Sequence, residues 1–163
     1  MRQRPIAILA ASLLACSPSS TRTTAPWTLP LPSGEHIAVD TVRAEHYADG
    51  DALHLFYETD RDIRDTVALR ARARVLWPAF APFAITGGYD IGAITAVRPQ
   101  FRVGGAMLGI RRTLKWGVVA RRDTSGIWRL DGDTAALAPP VTQPRPIVGT
   151  NGDTLRVTPH RRS

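Results

Sequence analysis

Residues 36–60 read HIAVDTVRAEHYADGDALHLFYETD, and this stretch decides the fold. Apolar and β-branched residues recur through 37–47 and again through 52–59. Between them stands Asp49-Gly50, a dipeptide that favours the tight two-residue turn of a β-hairpin. With the loop at 49–50, His46 pairs with Leu53, Ala44 with Leu55 and Val42 with Tyr57. One face then carries Val42, Ala44, Leu53, Leu55 and Tyr57, all apolar. The other carries Arg43, Glu45, His54 and Phe56, mostly polar. One buried face and one wet face is the pattern of an antiparallel sheet covered by a single layer.

The covering layer follows directly. Asp60, Asp62 and Asp65 stand before a helical stretch, where acids cap free N–H groups and match the helix dipole. At 100° per residue, Leu69, Ala73, Leu76, Phe80 and Phe83 form one narrow apolar stripe. Arg70 and Arg74 lie away from it and are expected to face solvent. Pro78 and Pro82 interrupt the pattern, because proline lacks the N–H and clashes with the preceding turn. The helix either kinks at Pro78 or ends near Leu76. Gly87-Gly88 closes it. A third strand is expected over 89–98, stopped by Pro99. A second hairpin is expected over 113–122 and 126–130, turning at Asp123-Thr124-Ser125. The order β-β-α-β-β-β predicts an α+β fold, a small two-layer domain with one helix on a mostly antiparallel sheet.

A chain of 163 residues suits one such domain with flanks. The domain is expected over 35–134. Residues 17–26 are Ser, Thr, Pro, Ala and one Arg, the composition of a flexible tether. Residues 27–32, WTLPLP, are expected to lie extended on the domain. Residues 135–163 read as a Pro-rich tail, with Asn151-Gly152 as a short hairpin signal that sets Val148 beside Leu155.

The net charge of +7 belongs to the flanks. From Glu35 to Asp133 there are 14 basic and 13 acidic residues. A nucleic-acid binder carries its positive patch on the folded unit, so nucleic acid is not an expected partner. Within that span, 35–66 is acidic and 67–133 basic, and the two halves are expected to pair across the fold.

The first five residues carry Arg2 and Arg4 and no acid; residues 6–15 are apolar or small except for Ser12. Ten residues rise about 15 Å as a helix, half of a ~30 Å hydrocarbon core, too short to span it. A charged start and a short apolar run make the layout of a secretory signal peptide. Leu13-Leu14-Ala15-Cys16 follows, with the chain's only cysteine. Here the chain resembles the precursors of bacterial lipoproteins, whose lipobox is a Leu, a variable residue, a small residue and Cys. The resemblance covers about the first twenty residues. It implies a signal peptide over 1–15, a diacylglycerol thioether on Cys16, cleavage before it, and acylation of the new amino group. It also implies a bacterial cell-envelope location, membrane-anchored through Cys16. Ser17, in place of the Asp that retains lipoproteins at the inner membrane, favours the outer membrane in a host with two.

The motifs of common chemistry are missing. Gly104-Gly105 and Gly109 match neither a P-loop nor a dinucleotide fingerprint, and no nucleophile elbow occurs. Glu58-x-Asp60-x-Asp62 lacks the Gly and distal Glu of a Ca²⁺ loop. In the hairpin, His54 faces Glu45 while His46 points to the other side, so the two do not converge on a metal. No cofactor and no metal are expected. If a binding surface exists, Arg111, Arg112 and Trp116 are its candidates, because a Gly-rich loop at 101–112 mixes mobility with positive charge. The expected role is a non-enzymatic binding or accessory domain, for an envelope protein partner or an anionic ligand. The alternative is a small envelope hydrolase or anionic-ligand-binding protein, which a pocket holding Glu45, His54, Asp90 or the Arg111/Arg112 pair would favour.

Overall fold

The computed structural model describes residues 26–100 and 112–157. The strands are β1 (Trp27–Pro30), β2 (His36–Tyr47), β3 (Gly50–Glu58), β4 (Ile91–Gln100), β5 (Arg112–Arg122), β6 (Trp128–Leu130) and β7 (Val148–Gly149), with one helix, α1 (Thr66–Thr86), between β3 and β4. They form a seven-stranded sheet in the order β6-β5-β4-β3-β2-β1-β7. Every neighbouring pair is antiparallel except β3 and β4, which α1 joins as a crossover. A parallel pair needs such a long connection, and a helix supplies it. The α+β class stands as expected. The order is longer than β-β-α-β-β-β, because β1 and β7 add strands at one edge.

Both additions lie outside 35–134. Leu29, in β1, and Leu31 just after it are fully buried, and β1 pairs with β2 from Trp27↔Val39 to Pro30↔His36. The tail is also part of the body, since Ile147 is fully buried and Leu137 nearly so. Its hairpin differs by one residue from the expected register. Leu155 N–H donates to the Ile147 carbonyl at 2.9 Å, and Val148 faces Thr154. The turn is therefore Thr150-Asn151-Gly152, with Gly152 at φ +82°, the left-handed position that three-residue hairpin loops require.

The first hairpin also shifts. Tyr47 pairs with Gly50, Ala44 with Leu53 and Val42 with Leu55, so the loop is Ala48-Asp49. The offset is two residues. A strand repeats every two residues, so this shift leaves both faces intact and the hydrophobic pattern cannot oppose it. A bulge between Val39 and Thr41 explains why buried Val39 and inward Val42 are three apart.

The helix runs unbroken through Pro78 and Pro82. Its start is as expected: Asp65 Oδ1 accepts the Ala68 N–H at 3.0 Å. Pro82 has no N–H to give to the Pro78 carbonyl, and the Val141 N–H of the tail takes that place at 2.9 Å. Leu76, Trp77, Ala79, Phe80 and Ala81 are all buried around the prolines. That packing offsets a proline cost of about 3 kcal/mol. Sheet on one side and tail on the other bury more of the helix than the narrow stripe predicted. Trp77 is the centre, 6.1 Å edge-on from Phe80 and 4.7 Å from Trp128 between ring centroids.

Arg70 and Arg74 do not simply face solvent. Arg70 Nε donates to Asp133 Oδ1 at 3.0 Å, and Arg74 holds the other oxygen. The halves of the domain pair only in part. Arg72–Glu35 and Arg121–Asp49 join them, whereas Arg121–Asp131, Arg129–Asp123 and both Asp133 pairs stay within the basic half.

Candidate functional site

Alternation gives the sheet a second face, which carries no helix among the described residues. In β2 it presents Arg43, Glu45 and Tyr47, in β3 His54 and Phe56, in β4 Thr95, and in β5 Lys115 and Gly117. The pairing Arg43↔His54, Phe56↔Thr95 and Thr95↔Gly117 brings them side by side across four strands.

At the centre is a chain of three side chains. His54 Nδ1 lies 2.6 Å from Glu45 Oε2, and His54 Nε2 lies 2.8 Å from Thr95 Oγ1. A carboxylate only accepts, so Nδ1 carries the proton. The neutral ring's bare Nε2 then accepts from the Thr95 hydroxyl. Glu45 is held on every side: the Tyr47 hydroxyl donates to Oε2 at 2.8 Å and Arg43 Nε to Oε1 at 2.7 Å. The His54 ring stacks on Phe56, with centroids 3.9 Å apart. The Arg43 guanidinium stands 4.7 Å from the Phe56 centroid and Lys115 Nζ 5.6 Å, both as cation–π contacts. These stems help cover the face, and His54 and Thr95 are only 8% and 6% exposed.

The charge states follow from the packing. Burial works to raise the Glu45 carboxyl, but hydrogen bonds from His54, Tyr47 and Arg43 outweigh it and bring it down to about 2. Burial lowers His54, and the opposing pull of Glu45 does not fully restore it. Burial, then the neighbouring Glu45, pushes Tyr47 up to about 12. Near neutral pH the set is an ionised carboxylate, a neutral imidazole and a hydroxyl.

Two features leave an approach open. Gly117 is exposed, and a Cβ there would lie 2.8 Å from Thr95 Oγ1. Its missing side chain is what leaves room beside the hydroxyl. Lys115, two residues along on the same face, is exposed and has no carboxylate partner among the described residues.

The expected surface trio fares differently. Arg111 lies outside the described residues. Arg112 opens β5 opposite Gln100. Trp116 pairs with Ala96 and packs, half-buried, against the core under the helix. The expected His54–Glu45 contact forms, but on the diagonal, since Arg43 stands directly opposite His54. Thr95 was not legible as a partner, because nothing in the sequence sets the register of β4 against β3. Cys16 lies outside the described residues. His46 turns away and pairs with Asp51. Among the described residues, no three His, Cys, Asp or Glu come together to hold a metal, and no helix is long and apolar enough to cross a membrane. Asp90 borders an open depression of about 560 Å³ with Arg122 and the 123–126 turn, on a different part of the surface from the His54 chain.

No protein-family model, curated protein or solved structure matches the chain.

Proposed function

We propose that the chain is a lipid-anchored protein of the bacterial cell envelope, held by Cys16 and acting through a small binding domain. One observation carries this reading: Leu13-Leu14-Ala15-Cys16 ends a charged-then-apolar leader and uses the only cysteine. Two or more acyl chains on one residue bind a bilayer stably, where one holds only marginally. Residues 17–26 then separate the anchor from β1. At 3.3–3.6 Å per extended residue they reach at most about 35 Å. The domain therefore works close to the membrane surface, on an envelope protein or an anionic ligand. Lys115, exposed on the second sheet face, supports an anionic contact there.

The test is detergent phase partitioning with labelled fatty acid. Wild type is expected to take up label and enter the detergent phase, and Cys16→Ala to do neither. Wild type that stays aqueous and unlabelled overturns the anchor.

A second reading is a small envelope hydrolase on the same anchor. It is favoured by the order of the chain Glu45–His54–Thr95, in which an orienting carboxylate, a base and a hydroxyl stand in hydrogen-bond sequence.

A further inference from the structure

We infer that the Thr95 hydroxyl, lined up on His54 and Glu45 beside the exposed notch at Gly117, is a nucleophile that accepts an acyl group from an uncharged ester. The inference deepens the hydrolase reading and rests on it.

A hydroxyl becomes a nucleophile when a base within hydrogen-bond reach can take its proton and a third group fixes that base. Thr95 Oγ1 is 2.8 Å from His54 Nε2, and Glu45 is 2.6 Å from the other ring nitrogen. Glu45 cannot turn away, because Tyr47 and Arg43 occupy it, and the His54 ring cannot rotate freely against Phe56. A histidine placed only to fill a core needs two partners. It does not need one of them to be a hydroxyl beside a glycine whose missing Cβ leaves that oxygen room. Substrate enters across Gly117. Buried Ala93 and Val97 flank Thr95 on β4, an apolar setting that suits an acyl chain better than a charged group.

The step balances without a cofactor. Thr95 Oγ attacks the ester carbonyl as its proton passes to His54 Nε2. The carbonyl oxygen becomes an oxyanion, and the Lys115 ammonium is the cation available on that face to stabilise it. The carbon–oxygen bond to the alcohol breaks, and the alcohol leaves with the proton from His54. Water, deprotonated by the same nitrogen, then releases the acid and restores Thr95.

The test uses full-length protein in detergent and a fluorophosphonate probe. Attack by Thr95 Oγ on phosphorus forms an O–P bond and expels fluoride, while His54 takes the proton. Intact mass and peptide mapping are expected to show one adduct, on the peptide that contains Thr95. Thr95→Val should lose it and Thr95→Ser keep it, which separates chemistry from folding. His54→Gln should slow labelling at least 100-fold. In wild type the labelling rate should rise with pH as His54 sheds its proton, in a site where Glu45, Tyr47, Arg43 and Lys115 all face that ring. No adduct, or an adduct on another residue that survives Thr95→Val, overturns the inference. Short-chain ester hydrolysis is measured alongside. An adduct on Thr95 without turnover keeps the nucleophile and removes the hydrolase reading. Turnover that survives Thr95→Val keeps the hydrolase reading and removes Thr95 from it.

Discussion

His54 stays neutral because burial disfavours its charged form, while Glu45 and Thr95 satisfy its two ring nitrogens. Removing the Thr95 hydroxyl leaves the buried Nε2 unpaired, a loss of about 1–3 kcal/mol. The same residues make stability depend on pH. His54 titrates lower folded than unfolded, so the unfolded chain takes up its proton first as pH falls below about 6.5. Glu45 is held near 2 when folded, against 4.5 as a free side chain, so its contribution is present above 4.5 and is lost between there and 2. Both effects act in one direction. The melting midpoint is expected to fall on acidification from pH 7 to 5, then more steeply below 4.5. His54→Gln should flatten the first limb and Glu45→Gln the second; a wild-type midpoint unchanged between pH 7 and 5 would contradict this. Gly92 offers a second test at this scale. A Cβ there would meet the Trp77 ring at 2.7 Å. Gly92→Ala is expected to cost about 1–3 kcal/mol by overpacking, read as a shifted denaturant midpoint with an unchanged slope.

Among the elements, the two flanks of the chain carry more of the fold than their composition suggests. The strands at 37–47 and 52–59, the Asp65 cap and the second hairpin were legible, because period, turn residues and capping acids are local signals. The register of the first hairpin was not, since a two-residue slip leaves every side chain on its own face. The helix beyond Pro78 was not legible either, because its support comes from Val141, more than sixty residues away. β1 was legible only as an extended segment on the domain and β7 only as part of a short hairpin signal; that both join the sheet, and that Leu29, Leu31 and Ile147 are fully buried, was not. Leu29→Ala and Ile147→Ala are each expected to destabilise the domain by about 2–5 kcal/mol, measured by urea unfolding. Changes below 0.5 kcal/mol at both would mean that the body does end at 35 and 134.

For the whole molecule, charges are settled partly within neighbourhoods, as Asp133 between Arg70 and Arg74 shows, and partly across the acidic and basic halves, as Glu35–Arg72 and Asp49–Arg121 show. The folded unit therefore presents a near-neutral body, and the excess positive charge sits on the flanks. The second sheet face is the place where polar chemistry, an exposed lysine and an exposed glycine coincide. Its candidate residues come from β2, β3, β4 and β5, so the site exists only in the assembled sheet. The sequence showed Glu45 and His54 as a pair, because a hairpin joins them. Thr95 joins them through the crossover, a tertiary contact that carries no sequence signal. In the proposed function, the Cys16 anchor sets the protein's working environment. The most direct measurement of it is the mass of the N-terminal peptide from protein extracted from bacterial membranes. The mature chain is expected to begin at Cys16 and to carry a diacylglyceryl thioether and a third acyl chain. A chain that begins elsewhere, with Cys16 unmodified, would contradict it.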